Sequence, residues 1–210
     1  MAMQSDPEAV VLVVDDDASV RDAMQRLFRS VGLRTEVFGS ATEFLQSKLS
    51  DGPRCLVLDV RLPGMSGLEF QAELTKASIQ IPIVFMTGHG DIPMTVKAMR
   101  AGAVEFLPKP FRDQDMLDAV HLALEQDRAR RTGEKAGADV RAKFATLTPR
   151  EQEVMGWVTA GLMNKRIAAE MHLAEITVKL HRANVMRKMG AKSLADLVRM
   201  ADVVGIRKKS

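Results

Sequence analysis

Cys55-Leu56-Val57-Leu58-Asp59-Val60-Arg61-Leu62-Pro63-Gly64-Met65-Ser66-Gly67 is the stretch whose reading decides the fold. An apolar run between Pro53 and Pro63 ends abruptly on a carboxylate. Four apolar residues between breakers read as a strand buried on both faces, which puts Asp59 at its carboxyl end, where open α/β sheets bind their ligands. A carboxylate in that place is a candidate nucleophile. Taken alone, an Asp ahead of Pro-Gly more commonly closes a turn. The rest of the chain decides between the two.

Toward the N-terminus, Val10 to Val14 is a β-branched run that ends in Asp15-Asp16-Asp17. From there apolar residues at 20, 24, 27, 28 and 31 trace one face of a helix, with Asp17 as its N-cap and Gly32 as its end. Leu33 to Phe38 alternates as a more exposed strand, and Ser40 with Glu43 forms a capping box for the next helix. Beyond the Asp59 strand the pattern repeats. A helix opens on the box Ser66 and Glu69, and a strand follows over 81–86. Then come a helix over about 92–101, a strand over 103–107 and a helix from Asp113. Five βα units with right-handed crossovers predict a doubly wound, flavodoxin-like parallel sheet of order 2-1-3-4-5. Its switch point lies between the first and third strands, so Asp15, Asp16 and Asp59 meet at one edge.

Two further strand ends point to the same edge. Thr87-Gly88 offers a hydroxyl and a flexible turn, and Pro108-Lys109-Pro110 offers a cation in a stiff one. Either alone is an ordinary turn residue or a solvated lysine. Together with three carboxylates they form a site that calls for Mg²⁺, because clustered carboxylates repel without a cation and this ion takes a few protein oxygens alongside phosphate and water.

The 210 residues suffice for one large or two small domains, and charge favours two. Residues 1–140 hold 16 basic and 21 acidic residues, net −5, whereas residues 141–210 hold 14 and 6, net +8. The second part is therefore expected to face a polyanion. The single cysteine, Cys55, excludes an intramolecular disulfide and fits a reducing compartment. Neither a signal peptide nor a long apolar span is legible, so a cytoplasmic protein without membrane contact is expected.

Residues 129–146 are charged and contain Gly133 and Gly137, which predicts a linker with a mobile middle whose first part extends the preceding helix. A second domain over 147–206 opens on Leu147-Thr148-Pro149-Arg150-Glu151, with Thr148 as N-cap, Pro149 at the first helical position and Glu151 closing the box. Helices are expected to Ala160, over 164–171, from about Glu175 to Met189, and from Ser193 to about Val203. A short helix, a tight turn and a longer basic helix make a helix-turn-helix. On the longer helix Val178, Val185 and Met189 should pack inward with His181 beside them, leaving Lys179, Leu180, Ala183 and Arg187 outward.

The order Asp15-Asp16, Asp59, Thr87, Lys109-Pro110 resembles the receiver domain of bacterial two-component response regulators over about residues 8–128. That resemblance implies that Asp59 accepts a phosphoryl group from a sensor histidine kinase. It also implies that Asp16, Asp59 and the backbone carbonyl of Arg61 ligate Mg²⁺, with Asp15 in support. Thr87 and Phe106 match the family's switch residues and Lys109 its phosphate-binding lysine, with a cis Lys109-Pro110 bond. Phosphorylation is then expected to draw Thr87 toward the phosphoryl group, move Phe106 inward and bias a dimer contact on the fourth helix and fifth strand.

Residues 146–206, through Gly161-Leu162-Met163-Asn164-Lys165 and Thr177-Val178-Lys179-Leu180-His181-Arg182-Ala183-Asn184, resemble the LuxR-type DNA-binding domain. The pair of domains resembles the NarL/FixJ class, closest to its FixJ branch. Promoter DNA and RNA polymerase are the partners this implies, with a homodimer forming on phosphorylation. Lys179 and Leu180 would face bases, Ala183, where relatives carry a longer polar side chain, would touch a thymine methyl or nothing, Lys165, Arg182, Arg187 and Lys188 would meet phosphates, and Thr177 is a further DNA-binding residue.

Two other classes compete. A haloacid-dehalogenase-type phosphatase also uses an Asp nucleophile and Mg²⁺, but needs a second Asp two residues on, where this chain has Arg61. An orphan regulator with an unphosphorylated receiver is disfavoured by the intact set of site residues.

Overall fold

The computed structural model describes residues 9–88 and 92–206, which fall into two compact units, Met1–Arg131 and Thr132–Ser210. The N-terminal segment in which no signal peptide is legible lies outside the described residues. The first unit runs β1 (Val10–Val14), α1 (Ala18–Ser30), β2 (Arg34–Phe38), α2 (Ala41–Gln46), β3 (Arg54–Asp59), α3 (Gly67–Lys76), β4 (Ile83–Thr87), α4 (Ile92–Arg100), β5 (Glu105–Pro108) and the first part of α5 (Asp113–Ala145), whose remainder from Thr132 belongs to the second unit. All strand pairs are parallel, in the order β2-β1-β3-β4-β5.

Period-two alternation sorts the strand side chains between two cores. Leu12, Leu56, Leu58, Phe85 and Phe106 face α2, α3 and α4, meeting Phe44, Phe70 and Ala98. Val11, Val13, Cys55, Val57, Val84 and Met86 face α1 and α5, meeting Phe28, Met116 and Val120. Because β1, β3 and β4 are covered on both faces, their sequences are unbroken apolar runs that only end where the sheet ends.

The helix starts follow the capping residues. Asp17, Ser66 and Thr148 accept backbone N–H bonds from the first turns of α1, α3 and α6 (Pro149–Thr159), and Ser66 with Glu69 and Thr148 with Glu151 close full boxes. The box expected at Ser40 is shifted. Ser40 accepts from the N–H of Glu43, but the Glu43 carboxylate takes the N–H of Gly39 at 2.6 Å.

The linker expected over 129–146 is helical: α5 continues to Ala145. Its Gly133 and Gly137 each cost about 1 kcal/mol against alanine. The Asp139–Lys143 pair at i,i+4 and the packing of Val140 and Phe144 on the second unit's core oppose that cost. Earlier in the same helix Asp127 is fully buried, takes the N–H of Arg54 at 2.9 Å, and is paired with Arg130 at 2.5 Å and Arg131 at 2.7 Å. This carboxylate fixes α5 to the start of β3. Asp127→Ala removes the acceptor of that part-buried N–H and is expected to destabilise the first unit by about 1–3 kcal/mol, read by urea denaturation; an unchanged midpoint would contradict it.

The second unit adds α7 (Asn164–Met171), α8 (Glu175–Met189) and α9 (Leu194–Val203) to α6. Val154, Met155, Ile167, Val178, Val185, Met189 and Leu197 form its core. His172 adopts φ 52°, which ends α7 and makes the tight turn into α8, and Gly190 at φ 69° ends α8.

Candidate functional site: a carboxylate pocket and a basic helix face

The ends of β1, β3, β4 and β5 converge as the topology requires. One oxygen each from Asp15, Asp16 and Asp59 lies within 4.8 Å of the others. Lys109 Nζ reaches Asp15 Oδ2 at 2.8 Å and Asp59 Oδ2 at 2.6 Å. The remaining oxygens are held by the backbone: Asp15 Oδ1 accepts from the N–H of Asp17 at 2.9 Å, and Asp59 Oδ1 from that of Arg61 at 2.8 Å. Thr87 is fully buried at the end of β4, and its carbonyl accepts the N–H of Lys109 at 2.6 Å, which ties the hydroxyl-bearing strand end to the lysine loop. The Lys109–Pro110 bond is cis.

Three carboxylates against one ammonium leave an excess of negative charge where Asp15 is buried and Asp59 nearly so. Burial pushes the Asp15 carboxyl above its usual range despite the Lys109 hydrogen bond. Burial alone would lower the Lys109 ammonium, but the hydrogen bonds it donates to Asp15 and Asp59 outweigh it and hold the group above its usual value, hence charged. Such an all-oxygen, under-neutralised pocket fits a hard divalent cation.

Two supporting residues escaped the sequence reading. Arg21, on α1, donates from Nη1 to the carbonyls of Asp15 at 2.7 Å and Asp16 at 2.9 Å, clamping the acidic turn. Gly67 opens α3 where a Cβ would collide with the Asp59 carbonyl oxygen and come within 3.0 Å of Val60 Cα. A lone arginine on a helix leaves no pattern to find, whereas a glycine at a helix start is a recognisable sign of close approach.

Phe106, at the end of the same edge on β5, is 8 % exposed, with its ring 6.2 Å from that of Phe85. The sheet register dictates this: Phe106 pairs with Phe85, on the face that α4 closes with Ala98.

In the second unit, α8 buries Val178, Val185 and Met189 as its spacing requires, with His181 half-buried. Lys179, Leu180, Ala183 and Arg187 are exposed, Thr177 is half-buried at the helix start, and Lys165 and Arg166 are exposed on α7. Both α7 and α8 start without a side-chain cap, on Met163 and Ala174, which leaves first-turn N–H groups open. Lys188 departs from its expected role. Its ammonium lies 2.6 Å from Glu151, a buried carboxylate on α6, and also donates to the carbonyl of Thr146, so it is an internal strut rather than a phosphate contact. Arg182 is half-buried and donates from Nη1 to Asn164 Oδ1 at 3.1 Å, bracing α7 against α8.

Residues 11–121 match the response regulator receiver domain, and residues 145–201 match the bacterial regulatory proteins of the luxR family. The chain therefore belongs to the response regulators, as a receiver joined to a LuxR-type DNA-binding domain. Nodulation protein W of Bradyrhizobium diazoefficiens is 59 % identical over 203 residues, covering 97 % of this chain and 89 % of that one. Transcriptional regulatory protein FixJ of the same organism is 41 % identical over 93 % of this chain and 96 % of its own. Among solved structures, response regulator StyR is 50 % identical, with a TM-score of 0.82 over 93 % of this chain and 98 % of that one. With a receiver followed by a LuxR-type domain and this likeness to FixJ over both, the protein is a transcription regulator of the NarL/FixJ class. Among the described residues no helix is long and apolar enough to cross a membrane.

Proposed function

We propose that Asp59 is the phosphoacceptor of a two-component relay and that its phosphorylation controls promoter binding by the second domain. The observation that carries this is the meeting of Asp59, Asp15 and Lys109 at the carboxyl edge of the sheet, with a third acid, Asp16, alongside. Asp16, Asp59 and the Arg61 carbonyl would hold Mg²⁺, with Asp15 in support. When bound, that ion supplies positive charge against the phosphoryl oxygens.

In the transfer, an Asp59 oxygen attacks phosphorus, the P–O bond forms as the P–N bond of the kinase phosphohistidine breaks, and the imidazole takes the electron pair and a proton. Lys109 stands within hydrogen-bond distance of the attacking carboxylate and offsets charge on the transferred group. The product bears roughly −2 charge beside Thr87 where the free carboxylate bore −1, and its phosphoryl oxygens give the Thr87 hydroxyl a new acceptor. α4 next to it exposes Ile92, Val96 and Met99, an apolar face suited to the homodimer expected on phosphorylation. Two second domains so joined suit half-sites about one helical turn apart, with Lys179, Leu180 and Ala183 toward bases, and Lys165, Arg182 and Arg187 toward phosphates. RNA polymerase is the downstream partner, and the cytoplasm the place of action.

The test is to incubate the chain with acetyl phosphate and Mg²⁺, then map the phosphoryl adduct by mass spectrometry of borohydride-trapped peptides. The adduct is expected on Asp59, absent in Asp59→Asn, and accompanied by tighter binding to selected duplex DNA. An adduct elsewhere, or undiminished labelling of Asp59→Asn, would sink the assignment.

A further inference from the structure

On the exposed face of α8, Ile176 and Leu180 are 73 % and 62 % solvent-exposed, one helical turn apart. Isolated exposed apolar residues are commonplace and need no explanation. These two differ in arrangement. They stand at i and i+4, so they share one face, and Ala183 continues it, opposite the seam of Val178, Val185 and Met189 that packs into the core. Lys179 lies between them, 57 % exposed and paired with Glu175 at 3.2 Å, while Lys165 and Arg166 on α7 and Arg187 further along α8 are exposed. An apolar stripe with cationic flanks is poorly suited to another apolar protein surface. It suits a polyanion that carries apolar groups at its floor. In the major groove of DNA one base alone presents such a group, the C5-methyl of thymine.

We infer that Ile176 and Leu180 are specificity-determining residues that read thymine methyl groups in the half-site. This rests on the DNA-binding reading of the second domain and adds to it both a residue, Ile176, and a base preference. Four residues of helix rise span about 6 Å. Base pairs step by about 3.4 Å. The two thymines read should therefore lie about two base steps apart within one half-site, with the intervening position left to Lys179. Exposure of both side chains costs the free protein nothing in core packing, so they can be replaced without loss of fold.

The experiment uses the full chain, phosphorylated with acetyl phosphate, and a duplex selected from a random library. Each thymine in the selected half-site is replaced in turn by deoxyuridine, which removes the methyl and leaves every hydrogen-bonding group in place. Affinity is read by fluorescence anisotropy. Two positions are expected to lose about fourfold each, the effect of withdrawing one buried methyl-sized group. Ile176→Ser should abolish the sensitivity at one of them and Leu180→Ser at the other. Circular dichroism and Trp157 fluorescence check that both variants fold. Equal affinity for thymine and deoxyuridine at every position would overturn the inference and leave DNA binding intact, as would Ile176→Ser that remains as methyl-sensitive as the native chain. Failure to select any duplex at all would overturn this inference together with the DNA-binding reading beneath it.

Discussion

Lys188→Ala is expected to destabilise the second unit by about 3 kcal/mol and to lower its Tm by about 10–20 °C. Glu151 is 3 % exposed, and Lys188 is its charged partner, 2.6 Å away. Removing the ammonium leaves a carboxylate buried with only the N–H and hydroxyl of its own capping box, at Thr148, for company. That residual service, and the partial exposure of Lys188, place the effect at the low end of the range for breaking a buried pair. The pair also carries a pH signature. Burial by itself would raise the Glu151 carboxyl, but Lys188 and Thr148 outweigh it and hold the group below its usual value. A depressed folded pKa means that the contribution is fully present above the unfolded value of about 4.3 and is lost as pH falls through the lower folded one. Urea denaturation of the second-unit transition, followed by Trp157 fluorescence between pH 3 and 7, checks both points. The native chain should lose stability on acidification through this window, and Lys188→Ala should start lower and lose less. A variant as stable as the native chain at neutral pH, with weakened DNA binding, would return Lys188 to the phosphate contacts.

Gly67→Ala is expected to damage the pocket without touching any of its polar side chains. The added Cβ would overlap the Asp59 carbonyl oxygen and press on Val60 Cα, both backbone atoms that cannot swing aside. Relief requires α3 to retreat from β3, or the end of β3 to shift, and the N–H of Gly67 already bonds the carbonyl of Val60 at 2.8 Å. Overpacking of this kind costs about 1–3 kcal/mol. Its effect on transfer is larger, because a displacement of roughly an ångström at a reacting group slows a positioned reaction by about 100-fold. Labelling with acetyl phosphate measures the rate and thermal denaturation the stability. Native labelling kinetics in Gly67→Ala would show that the Asp59 backbone tolerates the extra atom.

The parts of this protein that the sequence determined are those whose cause is local. Strands betray themselves because β1, β3 and β4 are buried on both faces and must be apolar throughout. Helix starts betray themselves because a cap and its partner lie within four residues, as at Ser66 and Glu69 or Thr148 and Glu151. The pocket was legible at one remove. Asp15, Asp59 and Lys109 are far apart in the chain, but each closes a strand, and the handedness of crossovers brings parallel strand ends to one edge. What only the tertiary structure decided depends on partners with no fixed spacing. Lys188 reads as one more exposed cation on a basic helix until Glu151, 37 residues away, is packed beneath it. Phe106 points inward because its register with Phe85 puts it on the α4 side of the sheet. Residues 129–146 carry the glycines and charges of a linker, yet α5 runs through them to Ala145, because Val140 and Phe144 gain burial on a core that their own neighbours in sequence cannot reveal.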